Sequence, residues 1–171
     1  MGGARRREDP PSLIGACLAA LDDLTPLCTD CGRLCGVACC SPLEGEETGM
    51  LLFPGEEACF RDAPGFRIRP TALGPMAVCG GTCDRSRRPL ACRLFPLLPV
   101  LRPDGVKVAV DARAWAVCPL RRVSDCREDF TEAVRETGRL LAEDPEGRGF
   151  LERLTREQDA LRALQKEFGG K

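Results

Sequence analysis

The chain has 171 residues, 43% hydrophobic and 5% aromatic, with a formal net charge of −1. That length suits one domain with a real core, and the balanced charge gives no global case for nucleic acid or an acidic membrane surface. Twelve cysteines stand beside no histidine at all, which excludes His-dependent triads, two-His-one-carboxylate iron sites and His-bearing zinc sites.

Residues 1–11 read MGGARRREDPP. Arginines followed by acids and prolines make no signal peptide, and a disordered tail is expected. No stretch reaches the roughly 18 apolar residues of a membrane span. A cytoplasmic, reducing location is expected, where structural disulfides are rare. Ser12 is placed to cap a helix running to about Leu24, with Leu13, Cys17, Leu18 and Leu21 on one face. Cys17 then reads as a small apolar core residue.

The segment CTDCGRLCGVACC follows at 28–40. Residues 41–60 then carry five glutamates and no base, whereas residues 61–107 carry nine Arg or Lys against three Asp. Frequent Pro and Gly predict turns and short strands, at 50–53, 66–69 and 76–78. Two apolar runs around Pro103-Asp104-Gly105 predict a β-hairpin at 98–101 and 106–110. The basic tract lacks interleaved aromatics beyond Phe66 and Phe95, so nucleic acid is not expected as a partner.

Asp125 with Glu128 resembles a capping box for a helix to about Glu143. Asp144-Pro145 is a second start, a cap followed by an N1 proline. The second helix carries Phe150, Leu154, Leu161, Leu164 and Phe168 at helical spacing, with balancing charges expected on a solvated face. The fold class predicted is α+β: a small Cys-rich metal-binding domain with short strands and a hairpin, a leading helix and two C-terminal helices. The division predicted is a tail at 1–11, a cysteine-cluster domain at 12–124 and a helical hairpin at 125–171 packed on it. A protein partner on those helices is the alternative to core packing.

Three chemistries compete for the thiols. Disulfides fit poorly, because Cys39 and Cys40 are adjacent and the chain has apolar residues enough for a core. A catalytic thiol lacks a histidine base, and one nucleophile does not explain twelve cysteines. Metal fits best: without imidazole the choice is a tetrathiolate zinc or an iron–sulfur cluster. Cys28-x2-Cys31 has the spacing of a knuckle turn. Cys31, Cys35 and Cys39 are one helical turn apart. Neighbours in extended chain face opposite ways, so Cys39 and Cys40 are expected to serve two sites, or one to ligate while the other packs. Cys79-x3-Cys83 and Cys92 offer a second half, and glycines at 32, 36, 80 and 81 suit tight turns near sulfur.

Cys31-x3-Cys35-x3-Cys39-Cys40, followed by CGGTCDRSRRPLACRLFP at 79–96, resembles the YkgJ-like cysteine-cluster family named for its CxxCxxCC signature. The carriers are the Cys39-Cys40 pair and the string Arg88-Pro89-x2-Cys92-Arg93-x-Phe95-Pro96, and the resemblance spans about residues 28–120. It implies a small cytosolic zinc- or iron-chelating domain, bacterial in origin. One branch of that family is associated with lysine N-methylation of flagellin. This chain shows no Gly-rich strand-to-helix loop for S-adenosylmethionine, so that activity is not carried over.

The ligands expected are Cys31, Cys35, Cys39, Cys40, Cys79, Cys83, Cys92 and Cys118, enough for two tetrathiolate sites. Cys28 is the alternative first ligand, and Cys17, Cys59 and Cys126 either ligate or pack. The partner expected is a metal ion. A closed zinc site would make the protein an interaction module. An iron–sulfur or open site would make it a metal-dependent redox or group-transfer enzyme. Phe95, Pro96 and Trp115 are expected to wall the site from water. Arg88 and Arg93 are expected to tune the sulfurs or pair with glutamates. Asp111 reads as a turn cap, with metal ligation as the alternative.

Overall fold

The leading helix forms as α1, Ser12–Leu21, three residues shorter than expected. It stops where Asp22 enters the left-handed region at φ 41°, a conformation that ends helices. Ile14, Cys17 and Leu21 are its buried face. This computed structural model describes residues 12–41, 47, 49–81 and 84–168. The expected tail at 1–11 and the candidate ligand Cys83 lie outside the described residues.

The cysteine-dense segment forms α2, Gly32–Cys35, and a 3-10 turn at Ala38–Cys40. β1 is Gly49–Leu51, α3 is Glu57–Phe60, β2 is Phe66–Thr71 and β3 is Gly74–Cys79. α4 at Leu90–Leu94 precedes β4, Leu97–Arg102, and β5, Gly105–Val110. α5 is Ala114–Val117, and the long helices α6, Glu128–Glu143, and α7, Pro145–Phe168, close the described chain. The architecture is α+β, as the sequence pattern predicts.

The strands make two antiparallel sheets, one ordered β1-β3-β2 and one of β4 with β5. In the second, Arg102 pairs with Gly105 across the Pro103-Asp104 turn, where the sequence placed it. Gly105 has φ 113°, which a side chain would resist. β2 and β3 pair from Phe66↔Cys79 to Thr71↔Gly74, so this hairpin delivers Cys79 to the open end of its sheet.

One apolar core joins α1, β1, α4, β4, α6 and α7 through residues such as Cys17, Leu90, Val100, Phe130, Leu141 and Phe150. The C-terminal helices therefore share the core of the rest of the chain. α6 crosses β4 and β5 so closely that a Cβ on Gly138 would stand 2.5 Å from Pro99 Cβ and 2.6 Å from Val106 Cγ1. Gly138→Val is expected to cost about 1–3 kcal/mol through overpacking. A fall in the urea midpoint at unchanged m-value would show it, and an unchanged midpoint would refute the close approach.

Two helical details differ from the sequence reading. Asp125 does not cap α6, which starts at Glu128. Its carboxylate instead accepts the backbone N–H groups of Arg121 and Arg122, at 3.0 and 2.9 Å. Asp144 does cap α7, accepting the Gly147 N–H at 2.8 Å with Pro145 first in the helix. In α7, Phe150 and Leu154 are buried as expected, whereas Leu164 and Phe168 are exposed. The polar side of this helix is stitched to the hairpin instead. Thr155 accepts from Leu101 N at 2.9 Å, Arg162 donates to Val110 O at 2.6 Å, and Gln165 donates to Ala112 O at 2.8 Å. The charged face is solvated as expected, with Glu152, Arg153, Arg156, Glu157 and Asp159 exposed, and only Arg162 and Gln165 turn partly inward at the far end. Among the described residues no helix is long and apolar enough to cross a membrane.

Candidate metal centre

From Leu27 to Ser41 no residue is fully buried. Folding cannot be driven there by apolar burial, because a segment without a core loses conformational entropy with little return. The chain is nonetheless bent hard in this region. Gly36 and Val37 are both left-handed, at φ 59° and 55°, and a β-branched residue such as Val37 holds that conformation only when its surroundings impose it. The bend turns α2 into the 3-10 turn that carries Cys39 and Cys40.

The 3-10 conformation also changes how the adjacent pair is read. Cys39 and Cys40 do not diverge as they would in extended chain. Their Sγ atoms are 3.9 Å apart and both line one cavity of about 270 Å³. Sharing a proton, the two split: the hydrogen bond to Cys40, together with burial, raises the Cys39 thiol, while the same bond lowers Cys40 to about 6, against burial and with help from Arg88. Gly81 seals this contact. At φ 90° it passes so near that a Cβ would stand 2.9 Å from the Cys40 carbonyl oxygen.

Cys79, from the end of β3, and Cys92, from α4, line the same cavity. Three remote segments thus bring four of the expected ligands to one hollow. Cys31, Cys35 and Cys118 act on one another, and Cys35 and Cys31 also act on Cys39. Burial raises the Cys31 thiol, and the charges of Cys118 and Cys35 add to the effect. Burial likewise raises Cys118, with Cys35 contributing. Cys126 belongs to this neighbourhood, since burial and then Cys118 push it up to about 12. Cys28 is exposed and its charge reaches Arg127. Cys17 and Cys59 are packing residues: Cys17 is fully enclosed, its thiol pushed up to about 12 by burial and then by Glu56, and Cys59 packs with Leu52, Phe60 and Ala77. Among the described residues, no three cysteine, aspartate or glutamate side chains are close enough to hold one metal ion. Cys83 lies outside them.

Two buried carboxylates, Glu56 and Asp111, hold the frame of the cavity. Glu56 is 2% exposed and accepts Phe53 N at 3.0 Å and Leu90 N at 2.6 Å. It therefore anchors the start of α4, which carries Cys92. Glu56→Ala would leave two enclosed N–H groups without this acceptor, at an expected cost of about 2–3 kcal/mol. Chemical denaturation measures it, and a loss below about 0.5 kcal/mol would remove the anchoring role.

Asp111 is 3% exposed and does more than cap a turn. Its Oδ1 does accept Arg113 N at 2.9 Å, as a turn cap does, and also Arg113 Nε at 3.0 Å and Gln158 Nε2 at 3.2 Å. Its Oδ2 accepts Arg113 Nη2 at 2.5 Å. Gln158, fully buried, closes the network by accepting Ala112 N at 2.8 Å. Burial works against the Arg113 charge, but the Asp111 carboxylate outweighs it and keeps the guanidinium protonated. Arg113 and Arg88 both line the thiol cavity, with Phe95, Phe66, Met50 and Val117 as apolar wall. Trp115 is no part of that wall. It stands 56% exposed, with Arg121 Cζ 4.8 Å over its ring. Arg93 donates to Asp22 O at 3.3 Å.

Sequence reasoning missed Arg113 and Gln158, and took Glu56 only as an ion-pair partner for Arg88 or Arg93. Glu56 and Gln158 act across long stretches of chain, which no local spacing encodes, whereas Arg113 meets Asp111 two residues away. No protein-family model, no curated protein and no solved structure matches this chain, and the reading of the site rests on its own residues.

Proposed function

We propose that this protein binds one or two zinc or iron–sulfur centres through its cysteine cluster, in the manner of the cysteine-cluster family it resembles, in a reducing cytoplasm. The observation that carries the reading is the convergence of Cys39, Cys40, Cys79 and Cys92 on one cavity, beside a segment in which no residue is fully buried. Soft thiolates in such numbers suit zinc or iron. Cys31, Cys35 and Cys118, with Cys83, complete the proposed ligand set. The metal would supply the cross-link that apolar packing does not supply between residues 27 and 41.

Anaerobic purification, an absorption spectrum and elemental analysis on one sample test this. Brown protein with iron and acid-labile sulfide supports a cluster; colourless protein with zinc near one or two per chain supports tetrathiolate zinc. Cys39→Ala and Cys92→Ala are each expected to lower the metal content. Metal-free protein, or unchanged stoichiometry in both variants, would remove the assignment.

The cavity favours a metal-dependent enzyme of redox or group-transfer type as the second reading, because a closed structural site needs no hollow beside it. A protein partner on the C-terminal helices has its own support. Trp115, Leu164 and Phe168 stand exposed around one groove with Arg121, Arg162 and Lys166. Aromatic and arginine anchors of this kind suit a partner segment carrying acidic and apolar side chains.

A further inference from the structure

We propose that the thiol-lined cavity is the binding site of a small organic anion, its charged head held by Arg113 and Arg88 and its apolar body against Phe66, Phe95 and Met50. The inference deepens the metal reading by naming what reaches the thiols, and rests on it only for their state.

The cavity, about 270 Å³, is sized for a molecule of roughly ten non-hydrogen atoms, smaller than a drug-sized ligand. Its lining joins an apolar wall to two guanidiniums, the combination that orients an amphipathic anion. Arg113 is the best-built of its polar groups. Asp111, 3% exposed, holds that side chain, and Gln158, fully buried, holds Asp111 and the Ala112 N–H. The pairing engages Nε and Nη2, so Nη1 takes no part in it. The side chain remains 43% exposed, open to a ligand. Two enclosed polar residues are a large outlay for a surface arginine, and are the arrangement expected where a guanidinium must be aimed. Asp111 and Gln158 are positioning residues in this scheme.

Among the described residues the cavity wall carries one carboxylate, Glu47, and it has cations of its own. Glu47 is engaged by Arg67 and, at 3.7 Å, by Arg69. The guanidinium fork matches both carboxylate and phosphate heads. A divalent metal on the thiols would offset part of the thiolate charge that faces the arginines.

Isothermal titration with benzoate, phenyl phosphate and the neutral benzyl alcohol tests the proposal, with metal content measured on the same protein. At least one anion is expected to bind saturably and about tenfold tighter than benzyl alcohol. Arg113→Gln is expected to weaken the anion about tenfold and leave benzyl alcohol unchanged, with Arg113→Lys restoring part of the loss. Because Arg113→Gln strands the buried Asp111 carboxylate, Arg88→Gln and the double variant D111N/R113Q carry the same test should the single variant fail to fold. Equal affinity for anions and alcohol, no saturable binding, or wild-type anion affinity in both the Arg88 and Arg113 variants would overturn it. Metal present without anion binding refutes this inference and leaves the metal reading intact. Anion binding by metal-free protein does the reverse.

Discussion

If the protein holds the proposed metal, stripping it with a thiol-competing chelator is expected to lower the melting midpoint by roughly 10 °C or more, a loss of several kcal/mol for a chain of this size. The loss should be local in origin. Residues 27–41 bury no side chain completely, and neither α2 nor the 3-10 turn contributes to the core. With little apolar contact, this segment sits at the low-stability end of the molecule unless a ligand ties it down. The long helices differ. α6 buries Phe130, Val134 and Leu141, and α7 buries Phe150, Leu151 and Leu154, in a core that needs no thiol. Hydrogen exchange separates the two regions. Amides at 28–41 should lose protection on chelation while those of α6 keep theirs. Equal protection of 28–41 before and after chelation would show that no metal holds the segment.

The same contrast explains what the sequence made legible. The β4–β5 hairpin and the Asp144-Pro145 helix start depend on residues next to each other, and both were readable. The four- and five-residue helices α3 and α4 are too short for a periodic pattern to show. Asp125 carried a helix-start pattern, but its carboxylate was claimed first by Arg121 and Arg122 N–H groups. Leu164 and Phe168 followed helical spacing and still face outward, because Arg162 and Gln165 reach the backbone at Val110 and Ala112. That choice depends on where the hairpin ends, which periodicity cannot encode. Among the thiols, the spacing marked which cysteines cluster along the chain. It did not show that Cys39 and Cys40 share one cavity with Cys79 and Cys92. That meeting is made by β3 and α4 arriving from elsewhere.

Asp111→Ala is expected to be the most damaging change to a polar side chain, at about 2–4 kcal/mol. The carboxylate accepts from Arg113 N, Arg113 Nε, Arg113 Nη2 and Gln158 Nε2. Its loss strands Gln158, which is fully buried, and frees a guanidinium that faces the cavity. Arg113 is partly exposed, so water recovers part of its cost and keeps the figure below that of a fully enclosed pair. The damage should spread along α7, since Gln158 also accepts Ala112 N and sits between Thr155 and Arg162, which hold the hairpin on either side of it. Asp111→Asn keeps the shape and two acceptor lone pairs but loses the charge, and should cost about half as much. The double variant D111A/R113A discriminates stability from function. If the pair matters chiefly to itself, removing both should cost less than the sum of the single variants, with a coupling of about 1–3 kcal/mol. Additive losses would mean that Asp111 and Arg113 act separately, and the network would then have no claim to aim the arginine.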